Sequence, residues 1–183
     1  MPLTVQQETS QLVVVDVQEK LSSVMEADSL ASTIKNCGIL MQAAKLLEVP
    51  IICTEQYPKG LGVMLPELTQ YADAAQRIEK TCFSCVDSRP FRSRLRGDRP
   101  QIVLAGMETH ICVLQTALHL QESGKQVYVV EDAVISRNPA NKSNALLRLR
   151  QAGVIVSNTE SVVFEWLKIA EGDNFKQISR LIR

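Results

Sequence analysis

Several signatures of common function classes are missing from this chain. There is no G-x-G-x-x-G after a strand and no G-x-x-x-x-G-K-[ST], which disfavours dinucleotide and P-loop nucleotide binding. No G-x-S-x-G elbow occurs, which removes the serine α/β-hydrolases. Only two histidines exist, His110 and His119, and the single CxxC, Cys82 and Cys85, has no second pair. A structural zinc site of the usual four ligands is therefore not expected. Charge of one sign is also absent: 20 Lys and Arg balance 20 Asp and Glu, for a formal net charge of zero. Nucleic-acid and membrane-surface partners need a concentrated basic face, and the one dense basic stretch, residues 89–99, is broken by Asp98. No uninterrupted apolar run approaches the roughly 18 residues of a membrane span. The start, MPLTVQQETSQ, has neither the basic head nor the apolar core of a secretory signal. Five scattered cysteines, an odd number, do not make a disulfide framework, and a cytoplasmic, reducing setting is expected.

What is present is an alternation of β-branched runs and amphipathic stretches across 183 residues, a length that suits one domain spanning the whole chain. Strands are predicted at residues 12–17 (LVVVDV), 50–54, 75–79, 101–105, 127–130 and 154–156. Helices are predicted at 29–48, 88–95, 109–123 and 139–151, with amphipathic segments after the last strand. Near-continuously apolar strands separated by helices imply a mostly parallel six-stranded sheet covered on both faces. With right-handed crossovers the expected fold is α/β: a doubly wound, Rossmann-like three-layer α/β/α sandwich. Sites in such folds lie outside the carboxyl ends of the strands, which makes Asp16, Thr54, Glu55, Lys80, Glu108, Cys112 and Asp132 the candidates.

Asp16 interrupts an apolar run, and an aspartate this deep needs a cation or donors nearby. Lys80, at the end of the third strand, is one candidate, although a surface lysine is the plainer reading. Cys112 follows Gly106, where the chain can turn sharply, and falls in the first turn of the next helix. Unpaired N–H groups and the positive dipole end would favour a thiolate there and could hold an oxyanion. An inert buried thiol is the competing reading for any one cysteine, and Cys37 and Cys53 fit it. A redox pair at Cys82 and Cys85 stays open as a rival. His110, two residues from Cys112, points elsewhere on a helix.

Taken together, Asp16-Val17-Gln18, Lys80 and the stretch GMETHICV (residues 106–113) resemble the isochorismatase-like cysteine hydrolase family. The likeness extends through TEQYPKGLG, EKTCFSC, QTAL and VVEDAVISR, and these are most similar to the isochorismatase domain-containing subgroup. The resemblance implies a catalytic triad of Asp16, Lys80 and Cys112. It also implies a non-proline cis peptide at Met107–Glu108, with the amides of Glu108 and Cys112 facing one oxyanion position. Gln18, Gln56, Tyr57 and Phe83 are the candidate pocket walls. The family's nicotinamidases hold zinc with histidines near the second strand; none occurs in Thr54-Glu55-Gln56-Tyr57-Pro58, so no metal and no cofactor is expected. The implied activity is cysteine-dependent hydrolysis of a small amide-like substrate through a thioester. An ether hydrolase of the isochorismatase type and a non-catalytic binding or scaffold protein remain alternatives. Relatives form dimers, tetramers or larger rings, so a homo-oligomer is expected.

Overall fold

The computed structural model describes residues 2–73 and 76–182. The strands are β1 (Ser10–Val15), β2 (Ile51–Gln56), β3 (Arg77–Lys80), β4 (Gln101–Met107), β5 (Gln126–Ile135) and β6 (Ile155–Ser157). They form one sheet in the order β3-β2-β1-β4-β5-β6, and every neighbouring pair is parallel. The chain thus winds outward from β1 in one direction, returns, and continues from β4 in the other, which is the doubly wound α/β arrangement.

Helices cover both faces because β1 is apolar on both. Leu12 and Val14 join one core with α2 (Ala27–Leu46), α8 (Thr159–Leu167) and α9 (Gly172–Ile182). Val13 and Val15 join the other, with α5 (Arg89–Arg94), α6 (Leu114–Glu122) and α7 (Pro139–Gln151). Shorter turns of helix are α1 (Glu19–Ser22), α3 (Pro58–Leu61) and α4 (Pro66–Thr69).

Four local differences from the sequence reading bear on the site. β1 stops at Val15, and Asp16 stands just outside it at φ +50° rather than within the strand. The predicted third strand began at Ala75, which lies outside the described residues; β3 runs from Arg77 and includes Lys80. The helix expected from Thr109 opens instead with a π-helical turn, Thr109–Val113. β5 runs on to Ile135 past its polar Glu131 and Asp132, where pairing with β4 slips between Leu104 and Gly106.

β1 and β4 meet at Gly106, whose φ is +113° and where a Cβ would fall 2.0 Å from the Val15 carbonyl oxygen. That backbone contact has no flexible side chain to move aside, so only glycine fits. A Gly106→Ala protein is expected to lose about 4 kcal/mol or more of stability, or to fail to fold, as read by urea unfolding.

Candidate active site

Asp16 is the hub. Its carboxylate is fully buried, and its left-handed backbone turns it back under the sheet's carboxyl edge. The Asp16 N–H donates to the Thr54 carbonyl (3.0 Å), Thr54 Oγ1 donates to Oδ1 (2.7 Å), and Lys80 Nζ donates to Oδ2 (2.6 Å). Both side chains of the Asp16–Lys80 ion pair are 0% exposed. Two charges taken out of water are tolerated only where the remaining donors and acceptors are filled. Lys80 meets that condition through Gln56 Oε1 (2.6 Å) and the carbonyls of Cys82 (3.3 Å) and Phe83 (3.4 Å). Burial pushes the ammonium down, but Asp16 and then the Cys85 and Cys112 thiols outweigh it, and Lys80 is held above its usual 10.5.

β2 lies between β1 and β3, so the two partners come from strands that do not touch. The long lysine side chain spans β2, and β2 supplies the groups that fix it: Thr54 on the carboxylate and Gln56 on the ammonium. Gln56 is itself held by Gln18, whose Oε1 accepts from Gln56 N (2.6 Å). The Gln18 amide also donates to the carbonyls of Gln56 (3.0 Å) and Gly62 (2.6 Å). Expected as a pocket wall, Gln18 is a fully buried brace whose amide is committed to the backbone. Gln56, expected beside it, is an orienting residue for Lys80.

Cys112 approaches from the other side. The Met107–Glu108 peptide is cis, and the Glu108 carbonyl accepts from the N–H groups of Ile111 (3.1 Å) and Val113 (3.3 Å). The second of these spans five residues and makes the turn a π turn, carrying Cys112 before α6 begins. The Glu108 carboxylate turns toward Arg137, accepting from its N–H (3.0 Å) beside its guanidinium (3.6 Å). Cys112 is 6% exposed, and its thiol lies within the electrostatic reach of Asp16 and Lys80. Burial pushes its thiol well above the ordinary 9.0, Asp16 raises it further, and Lys80 offsets only part. Burial and the Asp16 carboxylate thus act against the thiolate that a helix start would favour.

The CxxC pair divides. Cys82 is half-buried; Cys85 is fully buried, with its Sγ donating to Thr54 Oγ1 (3.8 Å) and its N–H donating to Thr116 Oγ1 (2.9 Å). Burial pushes the Cys85 thiol up to about 11, with Asp16 adding to the rise. Cys85 thus packs beneath the Asp16–Thr54 contact, and all five cysteines are free. His110 bonds Ser136 (2.9 Å) and His119 lies 4.0 Å from Asp87, so neither is hydrogen-bonded to Cys112. Among the described residues no group of three His, Cys, Asp or Glu side chains could hold a metal ion.

Tyr57 sits at φ +38°, tied by its N–H to the Lys80 carbonyl (2.8 Å) and 54% exposed. Its ring lies against Gly60, where a Cβ would come within 2.3 Å. Tyr57, Thr81, Cys82, Ser88 and Arg89 line a cleft of about 530 Å³ that reaches Lys80. Neither Asp16 nor Cys112 lines it, and Phe83, also 54% exposed, stands outside it.

The roles of Thr54 and Gln56 in holding the pair were not read from the sequence. The available signal was that both fall at the carboxyl end of a strand flanking the two charged residues.

A model of the isochorismatase domain matches residues 10–161. Bovine isochorismatase domain-containing protein 2 is 39% identical over 175 residues, covering 96% of this chain and 83% of the relative. A Caenorhabditis elegans structure described as a MAR1 ribonuclease has a TM-score of 0.91 and 35% identity, covering 98% and 92% of the two chains. The Escherichia coli YcaC structure, described as an octameric hydrolase of unknown specificity, has a TM-score of 0.90 and 25% identity over 99% and 91%. On this evidence, with its doubly wound sheet and nearly full-length likeness, the chain belongs to the isochorismatase family of hydrolase-fold proteins.

Proposed function

We propose that this protein is a cysteine hydrolase of a small amide-like substrate, with Cys112 as nucleophile, Asp16 as base and Lys80 as its charge partner. The observation that carries the reading is the sealed Asp16–Lys80 pair, 2.6 Å apart and 0% exposed, set against the Cys112 thiol. A buried ion pair is a weak way to stabilise a fold, whereas a fixed carboxylate beside a thiol is what a nucleophile needs.

Asp16 takes the proton as Cys112 Sγ forms a bond to the substrate carbonyl carbon, whose π electrons move to oxygen. The amides of Glu108 and Cys112 hold that oxyanion; losing one such donor costs roughly 3–4 kcal/mol of transition-state stabilisation. Collapse of the intermediate breaks the C–N bond, Asp16 returns the proton to the departing nitrogen, and a thioester remains. Water then attacks the thioester, gives its proton to Asp16, and releases the acid and the thiol. Lys80 keeps a positive charge against Asp16 throughout, beneath the 530 Å³ cleft. Tyr57 forms a wall of that cleft.

The ribonuclease description of one relative is not carried over, because a chain with net charge zero offers a polyanion no strong attraction. The octameric relative supports assembly of this chain into a homo-oligomer. No helix among the described residues is long and apolar enough to cross a membrane.

Ammonia release from a panel of small primary amides tests the reading. At least one amide should be turned over, and Cys112→Ala should lower that rate by about 10⁴-fold or more, as expected when a nucleophile is removed. Turnover that survives Cys112→Ala would overturn the assignment.

A further inference from the structure

The turn that carries Cys112 is tied to the end of β5 by two side chains. The Glu108 carboxylate accepts from the Arg137 N–H (3.0 Å), and His110 Nδ1 is hydrogen-bonded to Ser136 Oγ (2.9 Å). Glu108 and Ser136 are each 5% exposed, so each tie has one end out of water. The irregularity in β5 brings these partners into reach. Two steps along β4, from Leu104 to Gly106, are matched by five along β5, from Val129 to Val134. Met107 therefore pairs with Ile135, and the turn beyond Met107 meets Ser136 and Arg137. In an unbroken ladder Met107 would stand opposite Asp132, and the turn would meet Ala133 and Val134, which have no polar side chain. The bulge is pinned from α2 and α8. Asn36 Nδ2 donates to the Asp132 carbonyl (2.8 Å), and the N–H and Oγ1 of Thr159 both donate to Asp132 Oδ1 (2.8 Å). Bulges re-aim side chains and often adjoin functional sites.

Glu108 is held at two of the three heavy branches of its Cα. Its carbonyl accepts from the N–H groups of Ile111 and Val113, and its carboxylate accepts from Arg137. With two directions set at a tetrahedral centre, the third, the Cα–N bond, is set as well. The other side of that peptide belongs to Met107, which the β4–β5 ladder holds. The Glu108 N–H itself has no hydrogen bond among the described residues, although the residue is buried. Buried N–H groups are seldom left unpaired, so a donor fixed in direction and kept free invites an acceptor from outside the chain.

We propose that the Glu108 carboxylate, His110 and Ser136 are positioning groups, which aim the Glu108 and Cys112 amides at the oxyanion by anchoring the cysteine turn to the bulged end of β5. The inference rests on Cys112 being the nucleophile. These side chains act through the backbone: Glu108 sets its own amide, and His110 holds the middle of the turn that bears the Cys112 amide. Such an anchor matters most where negative charge develops on the substrate oxygen, and little to proton transfer from the thiol to Asp16. Two reagents separate those events. With acetaldehyde, Cys112 Sγ bonds to the carbonyl carbon, the π electrons move to oxygen, and the thiol proton passes to Asp16. With iodoacetamide, Sγ bonds to the methylene carbon, iodide leaves with its electron pair, and no charge develops on oxygen.

The test uses the intact protein, with the rate of Cys112 alkylation by iodoacetamide followed by peptide mass mapping at rising acetaldehyde concentration. The half-protecting concentration reads how well the oxyanion is held, and the rate without aldehyde reads the thiol alone. Glu108→Ala and Ser136→Ala should each raise the half-protecting concentration about ten-fold or more, while the rate without aldehyde stays within about two-fold. Glu108→Gln keeps an oxygen for the Arg137 N–H and should restore most of the protection. Ser136→Ala removes one hydroxyl and no charge, so it decides the matter if Glu108→Ala fails to fold. Unchanged half-protection in Ser136→Ala would overturn the proposal. So would a fall in the aldehyde-free rate as large as the loss of protection, since the turn would then be serving the thiol and not the amides. A Cys112 in the unmodified sequence that reacts with neither reagent would overturn the nucleophile assignment itself, and this inference with it.

Discussion

Lys80→Met is expected to lower the unfolding free energy by about 3–5 kcal/mol, because it leaves a fully buried Asp16 carboxylate without its cation. Thr54 Oγ1 still donates to Oδ1, but one neutral hydroxyl does not replace an ammonium 2.6 Å from Oδ2. The instructive comparison is the double variant Asp16→Asn/Lys80→Met. Asparagine tolerates the left-handed backbone at φ +50° and keeps an acceptor for Thr54, while the unpaired charge is gone. The double variant should therefore be more stable than Lys80→Met alone. Both should be inactive, since each lacks the base or the partner that holds it. Urea unfolding at neutral pH separates the two effects. A loss below about 1 kcal/mol in Lys80→Met would mean that the pair is wet and weakly coupled.

Stability should also fall steeply on the alkaline side. Burial pushes Cys37 and Cys53 up to about 12 and Cys85 to about 11, and Cys112 is raised as well, all from an ordinary 9.0. Above pH 9 the unfolded chain sheds these four protons while the folded chain keeps them. The folded state then binds more protons, so stability declines with pH, by roughly 1.4 kcal/mol per pH unit for each thiol. Lys80 acts in the same direction later: its contribution is complete below 10.5 and is lost as pH rises through its raised folded value. Urea midpoints measured in reductant from pH 8 to 10.5 should drop along a steepening curve. Cys37→Ala/Cys53→Ala, whose thiols lie in the core away from the site, should flatten the slope by about two thiols' worth. A midpoint unchanged up to pH 10.5 would show that these thiols are not desolvated.

The parts of the fold legible in the sequence were those where burial leaves a run of one residue type. The valines of β1 and the apolar stretch of β4 marked central strands, and their alternation with helical spacing implied the doubly wound sheet. Parts that depend on polar contacts between distant segments were not legible. The fifth strand was expected to stop at Val130 because Glu131 and Asp132 break its apolar run. It continues because Asn36 and Thr159 satisfy the bulge. Asp16 stood out as a carboxylate in an apolar run, and Lys80 as a strand-end cation. That a third strand lies between them, and that Thr54 and Gln56 clamp the pair, required the register of β1, β2 and β3. The raised proton affinity of Cys112 was not legible for a related reason. Helix position can be inferred locally, but the facing carboxylate comes from 96 residues earlier in the chain.

The central claim is that Asp16 activates Cys112. Exposure alone makes the half-buried Cys82 the thiol that reacts first, since Cys112 is only 6% exposed and carries a raised proton affinity. Intact-mass and peptide mapping after limiting acrylamide, on the unmodified sequence and on Asp16→Asn, decides between activation and exposure. The account predicts that Cys112 is alkylated first and that Asp16→Asn slows it by about 100-fold or more, as for loss of a general base, while Cys82 is unaffected. Labelling of Cys82 first, or a Cys112 rate indifferent to Asp16→Asn, would contradict it.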